Sequence, residues 1–250
     1  MNREHLTGTG IDPAEVAYFE RLAHRWWDTA GPFWPLHRLN ALRLDYLRER
    51  AGAALGRDPR ADLPFAGLAV LDIGCGGGLL SEAVARLGAT LVGIDVTEKN
   101  LRVARLHAQG SRLAIGYRLA EAGQLAAAGE RFDLVLNMEV VEHVEQRPLF
   151  LEQCARLVRP GGAMVVSTIN RTWAAGLMAI LGAEYLLRWL PRGTHHYRKL
   201  VRPAEVTAGL GAEFRCLHRT GVRVNPFNRH FYFTPWMGVN YMLVMQRMAV

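Results

Sequence analysis

Val70-Leu-Asp-Ile-Gly-Cys-Gly-Gly-Gly78 is the stretch on which the reading of this chain turns. An apolar run broken only by Asp72 reads as a strand buried on both faces, and the glycines after it as a turn that opens a helix at Leu79. Gly74 and Gly76 let the backbone pass close to a ligand, and the free amides of a helix start can face its polar groups. Asp95 ends the next apolar run about 20 positions after Gly74, where a carboxylate accepts hydrogen bonds from ribose hydroxyls. A glycine turn alone is weak evidence; paired with a strand-end carboxylate at this distance it points to a nucleotide-like ligand. The plain alternative is a turn that only satisfies strand-to-helix geometry. Leu79 stands where the dinucleotide fingerprint needs its third glycine, and no Gly-Lys-Ser/Thr ending follows as a P-loop requires.

Working outward, Leu68–Ile73, Thr90–Ile94, Phe132–Leu136 and Ala163–Ser167 read as strands buried on both faces. Helical stretches near Leu79–Leu87, Asn100–Ala108 and Pro148–Leu157 lie between them, so an α/β fold with a parallel sheet covered on both sides is expected. Phe214–Arg219 and Tyr241–Met248 are expected to add edge strands. Upstream of a linker-like stretch, Gly52–Gly67, the chain reads as helix. Asp12-Pro13-Ala14-Glu15 supplies a cap, a first-turn proline and a glutamate three residues after the cap. Val16, Phe19, Ala23 and Trp26 follow at helical spacing, and a second helix is expected over Asn40–Ala51 with Leu42, Leu44 and Leu47 apolar.

The 250 residues are 50% hydrophobic and 21% charged, which excludes a disordered or collagen-like chain. Basic residues outnumber acidic ones 30 to 23, for a formal charge of +7. Lysine occurs only at Lys99 and Lys199, and the arginines are dispersed, so charge alone argues only weakly for nucleic acid. Cys75, Cys154 and Cys216 lie far apart without CxxC spacing, which argues against a disulfide framework or a zinc site and predicts buried thiols. The first ten residues lack the apolar run of a secretory signal, and a cytoplasmic chain is expected.

Thr172–Leu190 is long and apolar, but Glu184 and Arg188 fall inside it, each costing about 2.5–3.5 kcal/mol at the centre of a membrane span. Its flanks are basic (Arg171, Arg192, Arg198, Lys199, Arg202), with Trp173 and Trp189 near its ends. That pattern suits an interfacial or lid helix touching anionic lipid, making the protein peripherally membrane-associated; a helix buried against the sheet is the competing reading.

Phe132 to His143 reads as a strand ending where open α/β sheets bind ligands. Glu139, Glu142 and His143 are spaced i, i+3 and i+4, so a helical turn would place them on one face. They would then suit Mg²⁺ or Mn²⁺, or else the Glu-His pair only orients the following helix.

The glycine turn after an apolar-apolar-acidic strand resembles motif I of the class I S-adenosylmethionine-dependent methyltransferases. The resemblance implies a Rossmann-like, mostly parallel seven-stranded sheet with helices on both faces, an N-terminal helical extension and an insertion after the fifth strand. In this family the loop wraps the methionine portion of the cofactor. Asn137-Met-Glu-Val140 also lacks the Asn/Asp-Pro-Pro-aromatic signature usual in methyltransferases acting on amino groups of nucleic-acid bases.

Phe19–Asp28, Pro35–Asn40 with Leu42–Leu44, Leu71–Gly78, Met138–His143, Ser167–Arg171, Gly182–Tyr185, Gly193–His195, Pro203–Glu205 and Val239–Leu243 together resemble the bacterial ubiquinone-biosynthesis O-methyltransferases. That resemblance implies methylation of phenolic hydroxyls on 2-polyprenyl-6-hydroxyphenol and 3-demethylubiquinol. It also implies an S-adenosylmethionine cofactor, possible membership of a ubiquinone-biosynthesis complex, and no nucleic-acid partner. By position it assigns Arg43, Asp72, Gly74, Gly76, Asp95 and Met138 to the cofactor and Arg43 to its methionine carboxylate. Glu139, Glu142 and His143 it assigns to a metal, with Mg²⁺ the candidate. Glu142 and His143 are the catalytic candidates, the phenol being ionised through a bound metal or by His143 or His195 as base. The expected organisation is one domain, 1–250: a helical cover (1–66), a cofactor-binding core (67–170), a lid or membrane insertion (171–202) and C-terminal strands (203–250). Two other readings stay open: an RNA or protein methyltransferase, and a non-catalytic membrane-bound scaffold. His196-Tyr197 and Arg229–Gly238 depart from the family pattern.

Overall fold

Alternation of apolar strands with amphipathic helices builds one sheet with a helix layer on each face, as seen in a computed structural model. The structure describes residues 21–176, 199–225 and 227–249. In chain order the principal elements are α1 (Trp34–Tyr46), β1 (Ala69–Ile73), α2 (Leu79–Ala85), β2 (Thr90–Asp95), α3 (Glu98–Gly110), β3 (Gly116–Leu119) and α4 (Ala122–Ala127). There follow β4 (Phe132–Met138), α5 (Arg147–Leu157), β5 (Val158–Ile169), α6 (Pro203–Leu210), β6 (Phe214–Val224), β7 (Phe231–Thr234) and β8 (Asn240–Arg247).

The strand order is β3-β2-β1-β4-β5-β8-β6-β7, with β1 to β5 parallel and the rest antiparallel. Successive strand residues face opposite sides, and here both sides are dry. Leu71, Val135 and Val166 join one core under α5 and α6, while Val70, Leu134 and Val165 join the other under α1 and α2. The order reverses between β1 and β4, so the crevice beyond their carboxyl ends is where a ligand site is expected.

Among the described residues there are eight strands rather than the expected seven. The additional one, β7, is only four residues long and lies in the stretch that departs from the family pattern. The late strands are interior rather than edge strands: β8 inserts between β5 and β6, and its Tyr241 to Met245 are buried on both faces. Upstream, α1 starts at Trp34 because Pro35 sits in its first turn, and gives way to a π-helical turn over Leu47–Ala51. Ala23 belongs to a single 3-10 turn, with Trp26 just past its end. Asp12, Pro13, Glu15, Val16 and Phe19 lie outside the described residues. Within the expected linker Phe65 is fully buried, so that stretch packs on the core. Cys75 and Cys154 are buried, but Cys216 is exposed on β6, correcting the third of those expectations.

Of the hydrophobic insertion only its start is described. Thr172 caps a short helical turn, Trp173–Ala175, by accepting the Ala175 N–H at 3.0 Å, and Trp173 is 91% exposed. Glu184, Arg188, Trp189, Arg192, His195 and Arg198 lie outside the described residues. No helix among the described residues is long and apolar enough to cross a membrane.

Candidate active site

Beyond β1 the backbone turns through Gly74, Gly76 and Gly78, all left-handed (φ +66°, +54° and +85°). At Gly74 a Cβ would also stand 2.5 Å from the Val140 side chain, so neither the backbone angle nor the space admits another residue comfortably. The turn is tied to β2 by Asp95. One of its oxygens accepts the Gly76 N–H at 2.9 Å; the other accepts the Thr97 N–H at 2.8 Å and the Asn100 amide at 3.4 Å. Burial raises the Asp95 pKa, and the N–H groups of Thr97 and Gly76 partly oppose that rise. Asp72 lies inside β1 and accepts the Ser81 hydroxyl at 2.6 Å. Its carboxyl is pushed up to about 6 by burial, with the Ser81 hydrogen bond and the Arg43 charge pulling the other way.

At the end of β4, Met138 is buried against the same space, and Glu139 takes a left-handed backbone (φ +58°) unusual for a side-chain-bearing residue. That conformation is held from three sides. The Glu139 N–H donates to the Ser167 carbonyl (2.8 Å), and its Oε1 accepts both Arg43 Nη2 and the Ser167 hydroxyl at 2.6 Å. Arg43, brought in by α1, is itself buried, and its Nε finds no hydrogen-bond acceptor among the described residues.

Glu142 is 3% exposed and neither carboxylate oxygen has a hydrogen-bond partner among the described residues. Burial, together with the Glu139 charge, pushes its pKa up to about 7, against the opposing influence of His143. Gly74, Gly76, Asp72, Asp95, Arg43, Met138, Glu139 and Glu142 border one cavity of about 370 Å³, within the range of small-molecule sites. Apolar side chains, among them Phe33, Leu36, Leu39 and Ile169, line it as well.

The expectation that Glu139, Glu142 and His143 share a helical face is corrected. The left-handed Glu139 breaks the turn, only Val141–His143 form a 3-10 turn, and Glu139 is committed to Arg43 and Ser167. Among the described residues no three His, Cys, Asp or Glu side chains are arranged to hold a metal ion. The residues as placed do not fit the expected Mg²⁺.

Comparison with known proteins bears on what the cavity holds. Residues 71–166 match the family described as Methyltransferase domain. The ubiquinone biosynthesis O-methyltransferase of Mesorhizobium japonicum is 53% identical over 241 residues, 96% of this chain and 97% of that protein. The chain belongs to the ubiquinone biosynthesis O-methyltransferase family. The protein of the same name from Agrobacterium fabrum is 52% identical over 242 residues, again 96% of this chain and 97% of its own length. Among solved structures, magnesium protoporphyrin IX methyltransferase from Synechocystis PCC 6803 with bound SAH shares the fold. Its TM-score is 0.67 at 22% identity, covering 94% of this chain and all of that one. The N-methyltransferase NodS from Bradyrhizobium japonicum does so with a TM-score of 0.59 at 17% identity, covering 93% and 97%.

This O-methyltransferase is therefore dependent on S-adenosylmethionine, and its cavity suits that cofactor on two observations. Asp95 presents a carboxylate beside the glycine turn, and the buried Arg43 Nε lacks an acceptor that a ligand carboxylate would provide. Arg43, Asp72, Gly74, Gly76, Asp95, Met138, Glu142 and His143 all border the cavity, as does Glu139 in its different role. Asn40, Asn100 and Ser167 were not singled out from sequence as site residues, and Trp26 was read only as part of an apolar helix face. Asn100 had a signal, standing in the first turn of the helix that follows Asp95; Ser167 had none, because its role depends on β4 pairing with β5.

Proposed function

We propose that this enzyme methylates phenolic hydroxyls of polyprenylated ubiquinone precursors, namely a 2-polyprenyl-6-hydroxyphenol and 3-demethylubiquinol. The observation that carries the reading is the mixed lining of the cavity, which combines charged groups around the glycine turn with apolar side chains from α1 and its approach. Such a site seats a charged nucleoside ligand on its polar groups and an aromatic ring with a prenyl tail on its apolar ones.

S-adenosylmethionine, when bound, supplies a methyl group on a sulfonium centre. Asp95 and the glycine turn hold the ribose, Arg43 takes the methionine carboxylate, and Asp72 favours the cationic end. The acceptor phenol, with a pKa near 10, must lose its proton. Glu142 takes it: a carboxyl at about 7 lies some three units below the phenol, leaving an uphill transfer of about 4 kcal/mol that attack on the methyl draws forward. His143, close by, favours the ionised form of Glu142 against the effect of burial. The apolar lining excludes water and aligns the ring, and alignment is the larger part of the protein's task because cation and anion neutralise each other. Residues 21–66 act as a cover on the core within one domain. Residues 171–202, introduced by the exposed Trp173 and flanked by basic residues, rest on an anionic membrane surface from the cytoplasmic side.

Methyl transfer from labelled S-adenosylmethionine to a short-chain demethylubiquinol, followed by product mass spectrometry, tests the reading. A singly methylated quinol is expected. Failure to methylate any ortho-hydroxyphenol, while the protein still binds SAH, would overturn it; methylation of RNA or protein instead would assign the other class of acceptor.

A further inference from the structure

Two adjacent indoles in the N-terminal segment, Trp26 and Trp27, take no part in the chemistry above, yet both end on the glycine turn. Trp26 packs against Gly76 and Gly77, where a Cβ on either glycine would come within 2.6 or 2.4 Å of its side chain. Its ring stacks on Phe33 with centroids 4.0 Å apart, and its backbone carbonyl meets His37 Nε2 at 2.9 Å. Trp27 donates its indole N–H to the Gly77 carbonyl at 2.9 Å and stacks on His107.

The polar contact of Trp26 is the informative one. Its Nε1–H donates to Asn100 Oδ1 at 2.9 Å, across 74 residues of sequence and in a buried setting. An indole nitrogen is only ever a donor, so the Asn100 oxygen must face it, and the Asn100 amino group is thereby turned to Asp95 Oδ1 at 3.4 Å. Reversed, the amide would set oxygen against carboxylate oxygen. Trp26 thus decides which end of Asn100 meets the carboxylate, while its ring covers the turn that the same carboxylate pins through Gly76.

We propose that Trp26 is a positioning residue for the ribose end of the cofactor, acting through Asn100 on Asp95. This rests on the assignment of Asp95 to the ribose, and is independent of which acceptor is methylated.

The test is calorimetric titration with SAH and with 5′-methylthioadenosine, which keeps the ribose but lacks the methionine carboxylate. Trp26→Phe retains an aromatic ring on Phe33 and over the glycines and removes the N–H. It is expected to weaken both ligands by the same factor, roughly 3- to 10-fold, the span of one neutral hydrogen bond. In turnover it raises KM for S-adenosylmethionine and leaves kcat unchanged, a split that a loss of folded protein alone does not produce. Asn100→Ala weakens both ligands as well, and the double variant binds no worse than Asn100→Ala alone, because the two residues act in series. SAH affinity unchanged in Trp26→Phe, or losses that multiply in the double variant, would overturn the proposal. Should Trp26→Phe not fold, Asn100→Ala carries the test, and unchanged affinity for both ligands refutes the link. Asp95→Asn separates the two assignments: if it too binds normally, the ribose assignment fails; if it alone binds poorly, only the role of Trp26 fails.

Discussion

Asp95→Asn probes the site at the point where fold and ligand share one side chain. Asparagine keeps a carbonyl oxygen for the Thr97 N–H and places an amino group against the Gly76 N–H, which now sits 2.9 Å from the Asp95 oxygen it would lose. One buried N–H left without an acceptor costs about 1–3 kcal/mol. Burial already disfavours the ionised carboxylate, as its raised pKa records, so replacing it returns part of that cost and the net loss falls in the lower half of the range. For a chain of this size that lowers Tm by roughly 2–8 °C. Binding suffers more. A ribose hydroxyl loses a charged acceptor worth about 1.5–3 kcal/mol, which is roughly a 10- to 150-fold weaker Kd for SAH. Asp95→Ala removes the acceptors of both Gly76 and Thr97, and is expected to cost about twice as much stability with a similar loss of affinity. Scanning calorimetry and SAH titration near neutral pH read the two effects separately. An Asp95→Asn protein that melts within this range yet binds SAH within threefold of the parent would refute the reasoning.

Gly74→Ala combines a left-handed φ with a 2.5 Å approach to Val140, and is expected to destabilise by about 2–4 kcal/mol in urea unfolding; adding Val140→Ala should recover the steric part of that loss. Glu142→Gln removes a buried charge that has no hydrogen-bond partner among the described residues. Because the folded carboxyl titrates near 7, above its unfolded value, the parent's stability from this group is present at low pH and lost as pH rises through 7. The variant should therefore match the parent below about pH 4 and exceed it at pH 8, while kcat falls by roughly 10²- to 10⁴-fold. Asp72, at about 6 in the folded protein, holds a proton between about pH 4 and 6 that the unfolded chain does not. Affinity for the cationic cofactor should rise with pH through this window and level off above about 7, whereas SAH, lacking the sulfonium charge, should show a shallower dependence by titration calorimetry.

The strands of the parallel half of the sheet, though not their order, were readable because each of β1, β2, β4 and β5 is a run of apolar residues on both faces, and burial on both faces points to a parallel sheet. Gly116–Leu119 and Phe231–Thr234 escaped notice for the opposite reason: four-residue strands with exposed positions carry too little periodicity. The place of β8 inside the sheet is a matter of pairing with β5 and β6, and residue types alone do not encode partners. The glycine-turn side of the cavity was recoverable because a glycine turn and a strand-end carboxylate have fixed spacing. The acidic cluster after β4 was misjudged as a single helical face because the spacing of Glu139, Glu142 and His143 assumes a right-handed backbone at Glu139. Three tertiary hydrogen bonds, to Arg43 and Ser167, override that local preference.

The burial of Glu142 has a consequence for the cycle as a whole. If Glu142 takes the phenol proton as proposed, the cavity would hold a sulfonium cation and the Glu142 carboxylate before reaction, and a thioether and a protonated Glu142 after it. The total charge inside is the same at both ends, so the low-dielectric wall exacts no toll on the overall conversion. The toll is deferred to recharging. Glu142 is 3% exposed, and its proton has to reach water before another phenol can be served. On that proposal, product departure, which admits water to that carboxyl, would also be the step that rearms the enzyme, and a ligand that lingers in the cavity would hold the base in its spent form.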